Sequence, residues 1–209
     1  SSHAILFTYT GTTNGAANFT VDNVSLIAGG ACAPPTITGT VTYGNTITGP
    51  PPPFVSNVLL SGSGSIPVSA LTDFPGGSYS LTGFGAGAYT VTPSKTGGVN
   101  GAISSFDAGR IAQHAAGIPP ILNATQLIVA DVSGNGSVTS FDAAQVARYA
   151  ASISGSGSTG TWIFSPVSRT YPDVTVNITA QDYTALLMGE VSGNWTNGTT
   201  KRYERTRNK

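Results

Sequence analysis

Residues 131–142 read Asp131-Val-Ser-Gly-Asn-Gly-Ser-Val-Thr-Ser-Phe-Asp142, and an alanine-rich stretch follows directly. Oxygen-bearing side chains fall at the first, third and fifth places: Asp131, Ser133 and Asn135. Gly136 holds the sixth place, where the backbone must turn sharply, and Ser137 offers its carbonyl at the seventh. Asp142 closes the twelfth place, where an ordinary EF-hand loop carries Glu. Calcium is a hard ion that takes six to eight oxygens, and this spacing lets one short loop wrap it. The plainer reading is a Gly/Asn turn ahead of a helix capped by Ser140. The expected ligands are Asp131, Ser133, Asn135, Ser137 and Asp142, and the expected helix is Ser140–Ser152.

The loop is one half of a repeat. Asn100-Gly-Ala-Ile-Ser-Ser-Phe-Asp-Ala108 aligns with Asn135-Gly-Ser-Val-Thr-Ser-Phe-Asp-Ala143 at an offset of 35 residues. The first copy predicts a helix over Ser105–Ala116, with Phe106, Ile111, Phe141, Val146 and Tyr149 packing the two helices together. It lacks the early ligands, because Thr96 and Gly98 stand where the second copy has Asp131 and Ser133. Asn100, the Ala102 carbonyl and Asp107 remain. A third echo, Glu190-Val-Ser-Gly-Asn194, repeats Asp131-Val-Ser-Gly-Asn135 with Glu for Asp. It has no closing acid of its own. It reads either as a polar turn after the last strand or as the source of the missing ligands, Glu190, Ser192 and Asn194, for a second calcium site.

Asp at the twelfth place, an entry without its own helix, and two copies 35 residues apart together resemble dockerin type I modules, over roughly residues 96 to 153. The resemblance implies calcium as the cofactor. It also implies a cohesin-like partner, recognised through the tenth and eleventh loop places. Those places are Ser105-Phe106 and Ser140-Phe141, and the bulky phenylalanines read here as core.

Outward from this unit the pattern turns to strands: Thr36–Tyr43, Phe54–Ser61, Ser78–Phe84 and Ala88–Pro93 before it, Val174–Thr179 and Tyr183–Met188 after it. Pro- and Gly-rich turns such as Pro75-Gly-Gly77 separate the early ones, which predicts a β-sandwich. The run from Ile37 to Lys95 resembles the carboxypeptidase regulatory-like (transthyretin-like) domains of secreted bacterial proteins. That family's closing Phe-x-Pro-x-x-Arg-x-Tyr stands some seventy positions late, at Phe164, Pro166, Arg169 and Tyr171. An insertion accounts for the delay. The expected fold is mainly β, a small antiparallel sandwich carrying an inserted two-helix calcium-binding unit. The divisions are an N-terminal β-hairpin and linker (1–31), the first part of the sandwich (32–95), the insertion (96–158), closing strands (159–189), and the partial loop with a basic tail (190–209).

Composition sets the limits on function. Of 209 residues only 9% are charged, the net charge is zero, and Gly (27) and Pro (13) are frequent, so hydroxyls rather than charges keep the surface wet. No strong field draws nucleic acid, and no apolar run approaches the ~20 residues that span a bilayer. One cysteine, Cys32, excludes an internal disulfide. Seven Asn-x-Ser/Thr sequons suit an exported, secreted or cell-surface protein. Catalysis has little support: His3 and His114 have no nucleophile or acid at a recognised spacing, and no G-x-S-x-G, H-E-x-x-H or P-loop occurs. Asp73, Asp173 and Asp182 read as local hydrogen bonders, and Trp162 and Trp195 as part of a core. Two non-catalytic functions fit. One is a calcium-stabilised protomer of an extracellular fibre or matrix, a homopolymer whose residues 1–28 add strands to a neighbour's sheet. The other is a tethering or adhesion module that binds a cohesin-like or carbohydrate partner.

Overall fold

The computed structural model describes residues 33–46 and 53–198. The expected N-terminal hairpin, nearly all of its linker, and the basic tail from 199 onward lie outside these residues. The unit from Pro34 onward holds eleven elements among its described residues. Five strands come first: β1 (Ile37–Tyr43), β2 (Leu59–Ser63), β3 (Val68–Leu71), β4 (Ser78–Leu81) and β5 (Tyr89–Ser94). Three helices follow, α1 (Ser105–Ala115), α2 (Ala124–Ala130) and α3 (Ser140–Ala150), and then β6 (Trp162–Ser165), β7 (Arg169–Tyr171) and β8 (Tyr183–Leu187).

The strands form two four-stranded sheets, ordered β4-β1-β8-β6 and β3-β2-β5-β7. Each sheet takes strands from both sides of the helical segment. Alternation explains the layering: Leu60 and Gly62 in β2, Tyr79 and Leu81 in β4, and Tyr89 and Val91 in β5 turn inward between exposed or half-buried neighbours. Ile37, Val41, Tyr43, Leu60, Leu81, Tyr89, Val91, Tyr183, Ala185 and Leu187 are all buried. The chain changes sheets between β6 and β7, at the turn through Pro166, and Arg169 stacks its guanidinium 5.3 Å from the Tyr183 ring. Burial pushes the Tyr183 phenol up to about 12.

The expected sandwich is mainly β with a helical insert, and four details differ. The pairing is not wholly antiparallel, because β1 runs parallel to β8 with Val41 opposite Tyr183. Strands β3, β6 and β7 were not expected; they are three or four residues long, too short to show a period. Phe54 and Ile178 make only isolated bridges, to Thr42 and Ile37, so no full strand spans Val174–Thr179. The helices number three, not two. α2 is only seven residues long, but Asn123 and Gln126 cap it reciprocally, each side chain accepting the other's backbone N–H at 2.9 Å.

Gly39 marks the tightest approach in the β1–β8 sheet. A methyl there would stand 2.4 Å from the Gln181 carbonyl oxygen, which belongs to backbone and cannot swing aside. Gly39→Ala is expected to destabilise the chain by about 2 kcal/mol through overpacking, read as a lower denaturant midpoint at unchanged m-value.

Candidate metal centre

The loop expected to hold calcium folds over the Asp131 carboxylate. Asp131 ends α2, and its Oδ1 accepts from the Ser133 hydroxyl (3.1 Å), the Gly134 N–H (2.9 Å) and the Asn135 N–H (3.1 Å). Its Oδ2 accepts from Gly136 N–H at 2.7 Å. Gly134 and Gly136 both sit at positive φ (72° and 83°), which lets three N–H groups in succession fold over one carboxylate. The Asn135 Oδ1 accepts from Ser137 N–H at 2.9 Å.

Asp142 closes the ring from the start of α3. Its Oδ1 accepts from Ser133 N–H (3.0 Å), while Oδ2 accepts from the N–H (2.9 Å) and hydroxyl (3.0 Å) of Thr139. Thr139, not Ser140, is the N-cap, and Asp142 is the third helical residue of its capping box. Asp142 has no exposed surface. Burial alone would raise its carboxyl pKa, but the bonds from Thr139 and Ser133 outweigh it and hold the group below the usual carboxylate range.

The first copy uses the same construction with a substituted half. Asp107 is the third residue of α1, and its Oδ2 accepts from the N–H (2.9 Å) and hydroxyl (3.2 Å) of Ser104, the N-cap. Its Oδ1 does not turn toward residues 96–98. It accepts from the N–H groups of Val191 and Ser192, each at 3.0 Å. Glu190 Oε1 in turn accepts from the Ser192 hydroxyl (2.7 Å), Gly193 N–H (2.5 Å) and Asn194 N–H (3.2 Å). These are the partners of Asp131 Oδ1, residue for residue. Gly193 has φ 71° against 72° at Gly134.

Asn100 stands beside this turn with its side-chain amide donating to the Thr196 carbonyl at 2.9 Å. Ala102 is buried, its N–H on the Val99 carbonyl at 3.0 Å. The other Glu190 oxygen, Oε2, accepts from the Tyr43 hydroxyl and, at 3.0 Å, from the Asn45 amide, both in or just beyond β1. Burial, then the adjacent Glu190 carboxylate, push the Tyr43 phenol far up. Tyr43 and Asn45 have no sequence signal as site residues, since they lie 147 and 145 positions from their partner.

An aromatic cluster covers this turn. Tyr43 packs 4.8 Å from Trp195 and 6.0 Å from Trp162, and the two indoles meet edge to face at 5.2 Å. Their Nε1 groups donate to the Gly97 and Gly98 carbonyls at 2.8 and 2.9 Å. Both indoles are buried, so neither offers a face to a sugar, and their reading as core holds. The phenylalanines are a correction. Phe106 is 59% exposed and Phe141 60%, so neither joins the helix–helix core expected of them. The capping boxes explain it: they fix Asp107 and Asp142 inward at the third helical place, and with Ala108, Ile111, Ala143 and Val146 these make the buried stripe of the α1–α3 pair. The residue before each acid is turned about 100° away, to solvent.

The donor chemistry fits a hard cation. Each arrangement brings two carboxylates together with a serine hydroxyl, oxygen donors of the kind that suit calcium. Among the described residues no three His, Cys, Asp or Glu converge. His114 Nδ1 accepts from Leu122 N–H, while Asp73 and Asp182 accept from backbone N–H of Ser78 and Thr40. No described helix is long and apolar enough to cross a membrane.

Residues 99–150 match the family model of the dockerin type I domain. Domains of that family are non-catalytic, bind calcium in general and imply a cohesin partner. The match covers both helix-entry acids and the whole Asp131 loop, and it begins after Gly98. No curated protein and no solved structure matches the chain.

Proposed function

We propose that the chain is an extracellular, non-catalytic tethering module, in which a calcium-built dockerin-type unit carried on a β-sandwich docks onto a cohesin-like protein. Calcium sits in the loop of Asp131, Ser133, Asn135, Ser137 and Asp142. It ties the end of α2 to the start of α3 and so sets the helices that carry the docking residues. With two carboxylates and neutral oxygens, this loop falls in the weak class of extracellular modules, with Kd roughly 10⁻⁴ to 10⁻³ M.

One observation carries the reading. At the tenth and eleventh loop places Ser105-Phe106 and Ser140-Phe141 stand exposed at the start of both long helices, each one residue from a buried acid. Solvent-facing aromatic rings held on rigid helix starts suit contact anchors, because their burial by a partner yields much area at little entropic cost. The fibre reading depends on residues 1–31, outside the described residues, whereas the tether reading depends on a matched domain.

The test is binding of a type I cohesin to immobilised chain in calcium. The double change Phe106→Ala with Phe141→Ala is expected to weaken binding by at least about 30-fold, as loss of an aromatic anchor worth ~2 kcal/mol or more does. Thermal stability in calcium should hold, because both rings are exposed. Unchanged affinity in the double variant would remove this reading.

A further inference from the structure

The geometry points to a second calcium site assembled from two chain segments: Glu190, Ser192 and Asn194 after β8, with the Ala102 carbonyl and Asp107 at the entry to α1. It rests on the calcium reading of the intact loop and extends it to residues outside the matched domain. Three observations carry it.

The first is the substitution of one segment for another. The family match begins at Val99, so it covers the late places of the first loop and lacks the early ones. Residues 190–194 occupy the vacated position, since Asp107 Oδ1 accepts from Ser192 N–H at 3.0 Å as Asp142 Oδ1 accepts from Ser133 N–H at 3.0 Å.

The second is buried charge. Asp107 and Glu190 both have no exposed surface, and the partners of their oxygens are hydroxyls, a side-chain amide and backbone N–H groups. Asp107 Oδ1 accepts from the N–H of Val191, the residue next to Glu190, so the two acids lie near each other. Two like charges taken out of water cost several kcal/mol per ion unless a cation lies between them. The one lysine among the described residues does not serve, because the Lys95 ammonium donates to the Ser56 carbonyl at 2.7 Å and lies over the Trp162 ring.

The third is construction. Glu190 Oε2 is clamped by Tyr43 and Asn45 of the sandwich, and Asn100 is tied to Thr196, so the two segments are held together from outside the ion's own ligands. Calcium at this place would be a staple between the last sandwich strand and the first dockerin-type helix. Glutamate, one methylene longer than the aspartate at the matching first place, reaches the ion from a backbone that the sandwich fixes.

Isothermal titration of the full chain with calcium is expected to give two ions per chain, and one in each of Glu190→Gln, Asp107→Asn and Asp131→Asn. Terbium excited through tryptophan supplies a second readout. Trp195 packs on Tyr43, the Glu190 partner, so sensitised emission should vanish in Glu190→Gln and survive in Asp131→Asn. A folding defect is separable by melting each protein in calcium and in chelator. Glu190→Gln should melt below the unaltered chain in calcium, and level with it or above it in chelator, where the uncompensated charge is gone. Equal losses in both conditions, or two ions persisting in Glu190→Gln, would overturn the split site. A single ion abolished by Asp131→Asn would overturn it while leaving the intact loop standing, and no ion at all would overturn both.

Discussion

An Asp142→Ala chain should lose calcium at the 131–142 loop and melt roughly 10 °C lower in calcium. Three donors depend on this carboxylate: the Ser133 and Thr139 N–H groups and the Thr139 hydroxyl. Alanine would remove the reciprocal half of the α3 capping box, worth about 1 kcal/mol. It would also leave the Ser133 N–H short of its partner at a half-buried position, costing about 1–3 kcal/mol where water cannot enter. Together with the lost calcium binding, a total near 3 kcal/mol, at ~2–4 °C per kcal/mol for a chain of this size, gives the stated shift. The chelated protein should lose less, since calcium's own contribution is then absent from both chains. Asp142→Asn separates the roles. Its remaining carbonyl oxygen can accept part of the helix cap, so in chelator it should melt near the unaltered chain while still failing to bind calcium at this loop. Calorimetric melts of the three proteins, with and without chelator, read both effects.

Trp195→Ala should have the second large effect, about 3–5 kcal/mol, and it should change the form of unfolding. The indole is 3% exposed, lies against Tyr43 and Trp162, and bonds the Gly98 carbonyl just ahead of the first repeat. It therefore joins the segment after β8 to the entry of the helical unit. Other ties remain: Gln126 donates its amide to the Val191 carbonyl at 2.7 Å, and Gly189 N–H bonds Val129 at 2.7 Å. With the aromatic centre removed, these bonds hold the helices less tightly to the sheets. Denaturant unfolding followed by near- and far-ultraviolet circular dichroism should separate into two transitions. In the unaltered chain the two probes should coincide. Coincident curves in Trp195→Ala would show that the cluster only fills space.

Much of this was legible in the sequence because the determining signals are local. Twelve residues fix the turn around Asp131, and the candidate ligand places and turn glycines follow from the spacing of a calcium loop. Alternation in β2, β4 and β5 shows which side faces the core. The repeated Val-Ser-Gly-Asn marks residues 190–194, since the same turn makes the same demands on its residues.

What was not legible depends on distance along the chain. Parallel pairing of β1 with β8 joins residues 142 positions apart, and nothing in either strand encodes the partner's direction. The anchoring of Glu190 by Tyr43 and Asn45 is hidden for the same reason, because a tyrosine in a strand reads as core. The phenylalanines misled for a different cause: hydrophobicity favours burial in general, yet two capping boxes fix the helix rotation and leave the ring outside. α2 carried its signal openly as Asn123 and Gln126, but seven residues give too little period to display it.

Sedimentation of the whole chain with a type I cohesin, in calcium and then in chelator, tests the tether most directly. The account predicts a discrete complex of the two proteins in calcium that separates when calcium is removed. Polymers of the chain alone, formed without cohesin and indifferent to chelator, would contradict it.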